Sequence, residues 1–190
     1  MTVVRRDAPC RRAFFPPCRT PGVYCRGHVG LGLVAYAPFA GAALNAGEPG
    51  VAVVGGGLAV AIAPLPDVDQ RLPISHRGPT HTLAFAAVMG ALVALAAGIG
   101  DGAVVRALWL ADPSLPAWTP AFLGATAAVT LCSHLAGDAI TPMGIRPFRP
   151  VSRAHVTLDL TPARNPRANA AFLAVGVAAM VASIAVVRIA

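Results

Sequence analysis

Charge is scarce in this chain, and what there is lies unevenly. Only 12% of the 190 residues are Asp, Glu, Lys or Arg, where water-soluble domains average about 25%. That deficit, with 56% hydrophobic residues, argues against a soluble helical bundle and for lipid as the solvent of much of the chain. Lysine is absent: all fifteen basic residues are arginine. Aromatic residues make up 6%, so no basic face interleaved with aromatic rings is available and nucleic-acid binding is not expected. Four cysteines occur without a Cys-x-x-Cys pair, which removes zinc-ribbon patterns and gives no reason to expect disulfides.

What is present is a set of apolar runs: residues 29–47, 51–66, 82–100, 117–137 and 170–187 are each nearly free of charge. A bilayer-spanning helix takes about 20 apolar residues. Most of the runs meet that length, whereas 51–66 is short. Residues 103–111 contain Arg106 and are expected to belong to an outer loop. The pattern predicts an all-α, polytopic bundle of about five transmembrane helices, rich in the small residues that allow close helix packing.

The arginines orient it. With a cytoplasmic N-terminus, residues 1–28, 67–81 and 138–169 face inward. They hold Arg5, Arg6, Arg11, Arg12, Arg19, Arg26, Arg71, Arg77, Arg146, Arg149, Arg153, Arg164 and Arg167, leaving only Arg106 and Arg188 outside. This is the asymmetry of the positive-inside rule. The net charge of +7 then reports topology, with anionic headgroups as natural neighbours. A multi-pass cell-membrane protein with the lipid bilayer as its partner is expected.

Residues 1–22 are Arg- and Pro-rich and contain Cys10 and Cys18, with Cys25 just beyond. Ala13-Phe14-Phe15 is too short for a signal-peptide core. A disordered extension is expected there, with Val23 as an alternative start, and one membrane-embedded domain over 23–190. Cys132, inside a span, reads as a small packing residue.

Chemistry concentrates in residues 65–81, a Pro-punctuated polar island holding Asp67, Asp69, His76, Arg77 and His81 between two apolar runs. Pro64, Pro66, Pro73 and Pro79 predict a rigid loop without regular helix. The Asp67-Val68-Asp69 pair is expected in a Pro-flanked turn, and His81 in the first turn of the third span. On the five-span arrangement His28, Asp67, Asp69, His76, His81, His134 and Asp138 all fall at the same ends of the spans. His134 and Asp138 are four residues apart and so share one helix face. Ionisable groups at membrane depth are costly unless paired or metal-bound. Singly, each has an ordinary reading: Asp67 and Asp69 a solvated turn, Asp138 a partner for Arg146, His28 an interfacial histidine, His76 a hydrogen-bonding residue, Arg77 a surface anchor. Together they point to a metal site with His28, Asp67, His81, His134 and Asp138 as ligands. His155 and Asp159 lie in a plainer polar stretch and are left out.

The run Gly27-His28, Leu65-Pro66-Asp67-Val68-Asp69, His76-Arg77-Gly78-Pro79-Thr80-His81 and Ser133-His134-Leu135-Ala136-Gly137-Asp138, followed by Thr141-Pro142-Met143-Gly144-Ile145, resembles the membrane-bound metal-dependent hydrolases of the YdjM-like, LexA-regulated inner-membrane family. The resemblance covers about residues 24–185. It implies hydrolysis assisted by a divalent ion. A mixed N/O donor set suits zinc or manganese, and six such side chains suffice for two ions. Asp69 is the expected general base or orienter. His76 supports the site, and Arg77, with Arg146 and Arg149, is placed to hold an anionic group such as phosphate. A lipid-like or membrane-adjacent phosphoester is the expected substrate. The rival is a non-catalytic membrane protein: an ion-binding transporter, a scaffold or a sensor. Transporters tend to place their ligands at the bilayer midplane, whereas here they gather at one face.

Overall fold

The computed structural model describes residues 23–99 and 115–189. The extension expected at 1–22 and the outer loop expected at 103–111 lie outside the described residues. Among the described residues five α-helices follow one another: α1 Val23–Asn45, α2 Pro49–Ile62, α3 Leu83–Gly98, α4 Thr119–Ala139 and α5 Pro166–Ile189. Among the described residues the only β contact is one isolated antiparallel bridge, Ile145 with Val156. The chain is an all-helical membrane protein, as its apolar runs predict.

Helix boundaries follow local chemistry. Gly47, at φ +78°, closes α1: its N–H donates to the Leu44 carbonyl at 3.0 Å and the Glu48 N–H to Ala43 at 2.9 Å. A left-handed residue at this point commonly satisfies the orphaned carbonyls of a helix end. Proline then sits in the first turn of α2, and again of α4, where its missing N–H is not needed. The Thr82 hydroxyl caps α3 by accepting from the Phe85 N–H at 3.1 Å.

Among the described residues four stretches are long and apolar enough to cross a membrane: Arg26–Asn45, Pro49–Arg71, Thr119–Ala139 and Pro166–Val187. Here the structure corrects the sequence in two places. The second run is not short, because Leu65–Arg71 continues α2 as a 3-10 helix. Its prolines lie at the start, where the i to i+3 pattern, as in the Asp67 N–H to Pro64 carbonyl bond at 3.2 Å, needs no donor from them. The short element is α3, of 16 residues. Likewise His81 does not open α3 but ends a separate 3-10 turn, Pro79–His81.

Glycine sets the helix spacing. A Cβ at Gly90 would meet the Gly124 carbonyl oxygen at 2.8 Å, and one at Gly124 would meet the Gly90 carbonyl oxygen at 2.6 Å, so α3 and α4 touch backbone to backbone. Gly30 of α1 and Gly176 of α5 are opposed in the same manner, each against the other helix's main chain. Such small-residue contacts supply the van der Waals packing that hydrophobicity cannot provide in lipid. α4 is central, in contact with α1, α2 and α3, while α5 packs chiefly on α1. The alternation of direction brings the start of α1, the 3-10 segments and the end of α4 to one end of the bundle.

Candidate metal centre

Three chain-distant segments meet at that end. α1 contributes His28 within its first turns. The 3-10 helix places Asp69 inward, 1% exposed, and leaves Asp67 half-buried. The buried face of α4 carries His134 and Asp138 one turn apart, and the Pro79–His81 turn sets His81 against them, fully enclosed. Gly137 makes room for this. A Cβ there would lie 2.6 Å from the Leu31 side chain and 3.2 Å from His28 Nδ1, so only glycine lets the His28 ring rest on α4. That ring stacks on His134 with centroids 3.7 Å apart.

Asp138 is the hub. Its Oδ2 is 3.1 Å from His81 Nε2 and 3.6 Å from His134 Nε2, and its Oδ1 is 3.7 Å from His28 Nε2. Asp67 Oδ1 lies 3.9 Å from His81 Nε2. Ligand atoms of His28, His134 and Asp138 lie within 4.8 Å of one another, as do those of Asp67, His81 and His134, and those of Asp67, Asp69 and His76. All eight residues singled out in the sequence, Arg77 included, therefore meet in one cluster.

The tautomers follow from the partners. His134 Nδ1 is 2.8 Å from the Ala63 carbonyl oxygen, which can only accept, so Nδ1 carries the proton and Nε2 presents a lone pair. The Thr80 hydroxyl donates to Asp69 Oδ2 at 3.1 Å and accepts from His81 Nδ1 at 3.0 Å. His81 Nδ1 is also 3.2 Å from Asp69 Oδ2, leaving its Nε2 lone pair toward Asp138. His81 Nε2, His134 Nε2 and Asp138 Oδ2 are all buried without a hydrogen-bond partner. Buried acceptors facing one another at these distances repel unless a cation or a proton lies among them.

Asp69 is occupied on both oxygens. Oδ1 accepts from His76 Nδ1 at 2.9 Å, and Oδ2 accepts from the Arg77 backbone N–H at 2.8 Å as well as from Thr80. The arrangement orients His81, much as carboxylates orient metal-binding histidines. Arg77 takes a left-handed conformation, φ 55°, which turns its N–H to Asp69 while its guanidinium reaches back to α4. There Nη2 donates to Asp138 Oδ1 at 2.7 Å, and Nη1 donates to Thr141 Oγ1 at 2.8 Å and to the Gly144 carbonyl at 3.0 Å. Asp138 thus pairs with Arg77, not with Arg146 as its ordinary reading had it. Arg146 is exposed and Arg149 half-buried, and neither is hydrogen-bonded or ion-paired to the cluster among the described residues.

His155, left out on sequence grounds, lies exposed with Nε2 2.9 Å from the Met143 carbonyl oxygen. The groups that sequence reasoning missed are the Ala63 carbonyl, Thr80, Gly137, Thr141 and Gly144. A main-chain acceptor leaves no residue signature. Thr80, Gly137, Thr141 and Gly144, by contrast, all lie inside motifs that carried the family resemblance.

No curated protein and no solved structure matches the chain. The family model described as YdjM inner membrane protein matches residues 24–190, a span that holds every residue of the cluster. The chain belongs to the YdjM inner membrane protein family.

Proposed function

We propose that this membrane protein is a metal-dependent hydrolase acting on an ester or phosphoester, with its centre at the cytoplasmic face. The observation that carries the reading is the set of inward-facing acceptors, His81 Nε2, His134 Nε2 and Asp138 Oδ2, buried and without partners. Zinc or manganese suits such a donor set. His28, Asp67, His81, His134 and Asp138 would hold the ion, and a divalent ion there supplies Lewis acidity, enough to bring the pKa of water to about 7. The protein's own part is orientation and exclusion. The Ala63 carbonyl and Asp69 fix the two buried imidazoles. Arg77 holds Asp138 Oδ1 and leaves Oδ2 inward. Leu135, Ala139 and Ile145 close the apolar side at the end of α4. Asp67 and His76, the more exposed members, form the open edge by which a substrate approaches, with a lipid-like phosphoester in the adjoining headgroup layer as the preferred class. The arginine-rich loops at this end support a cytoplasmic assignment for it and for the N-terminus.

The experiment measures metal content by mass spectrometry in purified protein, in His134→Ala and in Asp67→Asn, followed by phosphomonoester and phosphodiester turnover. Stoichiometric metal in the native protein, lost from both variants together with turnover, is the expected result. Full retention of metal in both variants overturns the reading.

One observation favours a second reading, an ion held without turnover in a transporter or scaffold. The half-open pocket beside His28 and Asp138, lined also by Thr161, Pro162 and Phe172, measures about 30 Å³, the space of a single water. Metal lost in the variants with no turnover of any phosphoester or carboxylic ester by the native protein would favour that alternative.

A further inference from the structure

The inner face of α4 carries a second anomaly, away from the ligands. Thr119, Thr126 and Thr130 are 1%, 0% and 0% exposed, and the hydroxyl of each is buried with no hydrogen-bond partner. Threonine and serine inside apolar helices normally return their hydroxyl to a carbonyl of the preceding turn. Ser133, on the same helix, does so, donating to the Thr130 carbonyl at 2.7 Å. The three inward threonines do not. They stand in register with the cluster: Thr126, Thr130 and His134 follow at intervals of four residues, about 6 Å of rise each.

The far end of this row meets a cavity of about 270 Å³ lined by Ala97, Gly98, Leu115, Pro116, Thr119 and Pro120. It lies where the short α3 ends. Between Thr119 and Thr126 the helix rises about 10.5 Å. Leu123, 3% exposed, packs there with Val54, Leu58 and Phe122, and Tyr36, whose hydroxyl donates to the Ala52 carbonyl, meets Phe122 from α1.

We propose that Thr119, Thr126 and Thr130 form a hydrated track through the bundle, whose ligand is water. It joins the cavity at the far end to His134 and gives the buried cluster a second solvent connection, across the membrane from its own face. Buried hydroxyls without protein partners are the groups that internal waters satisfy, each such water needing two to four polar neighbours. Thr126, Thr130 and His134 are successive i to i+4 neighbours on one helix face, so waters shared between adjacent members would satisfy them in turn. The proposal stands whether or not the cluster turns over a substrate.

Thr126→Cys and Thr130→Cys, each in a full-length background with Cys10, Cys18, Cys25 and Cys132 replaced by Ser or Ala, test it against Leu131→Cys. Leu131 is equally buried and near the same depth, but packs among Ile62, Ala86 and Ala127. A small cationic methanethiosulfonate is added to protein in liposomes, since thiols in apolar surroundings stay protonated and unreactive. Reaction at Thr126→Cys and Thr130→Cys about tenfold or more faster than at Leu131→Cys is expected. Equal, slow reaction at all three overturns the track. If the cysteine variants do not fold, hydroxyl-radical footprinting of the native protein decides: oxidation within residues 126–134 supports the track, and its absence refutes it.

Discussion

Asp69 and Arg77 show how much of a cluster's geometry is set by side chains that hold its other members in place. Asp69 fixes the His81 ring through Nδ1, so Asp69→Asn keeps the shape but exchanges a double acceptor for a group that also donates. Metal affinity measured by competition with a chelator should fall about 10- to 100-fold, the range seen for such orienting partners. Arg77 holds Asp138, Thr141 and Gly144 at once with a planar fork. Arg77→Lys offers a point charge in its place and cannot span the three, so affinity should drop in Arg77→Lys nearly as far as in Arg77→Ala. Recovery of native affinity by lysine would show that charge alone suffices. At this scale the sequence was informative. Ionisable residues in a chain so poor in charge are conspicuous, and the spacing of His134 and Asp138 announced a shared face. The division of labour was not legible, because it depends on which atom of each side chain turns inward. That is decided by a main-chain carbonyl at Ala63 and a left-handed backbone at Arg77.

Helix contacts make a sharper test with glycines than with large apolar residues. Gly124 has the main chain of α3 against it, with the Gly90 oxygen 2.6 Å and the Ala94 Cβ 2.7 Å from where its own Cβ would stand. Gly124→Ala should therefore destabilise the protein by about 1–3 kcal/mol, seen as a lower thermal midpoint in detergent. Gly57, on α2, has open space around the same position, and Gly57→Ala should raise stability by up to about 1 kcal/mol through helix propensity alone. Equal effects of the two substitutions would contradict the close α3–α4 contact. The five helices among the described residues are readable from apolar run length. What the runs concealed was how each one ends: prolines that promised an irregular loop instead begin a 3-10 helix, which lengthens the second span and gives Asp67 and Asp69 different exposures.

Across the whole molecule, α3 is the mismatch. Sixteen residues rise about 24 Å, against about 30 Å of hydrocarbon in a typical bilayer. The protein should melt at a higher temperature in nanodiscs of short-chain lipid than in those of long-chain lipid, and an unchanged midpoint would remove the mismatch argument. The arginines of the 140–165 loop should meet the cytoplasm. Arg153→Cys, exposed in the native chain, is expected to react with an impermeant maleimide only from that side. The close approach of Arg77 to Gly144 has a bearing on how the protein is made. Every group hydrogen-bonded or ion-paired in the cluster, from His28 to the Gly144 carbonyl, precedes α5 in the chain, and α5 packs chiefly on α1. A nascent chain therefore carries its full set of donors before α5 leaves the ribosome.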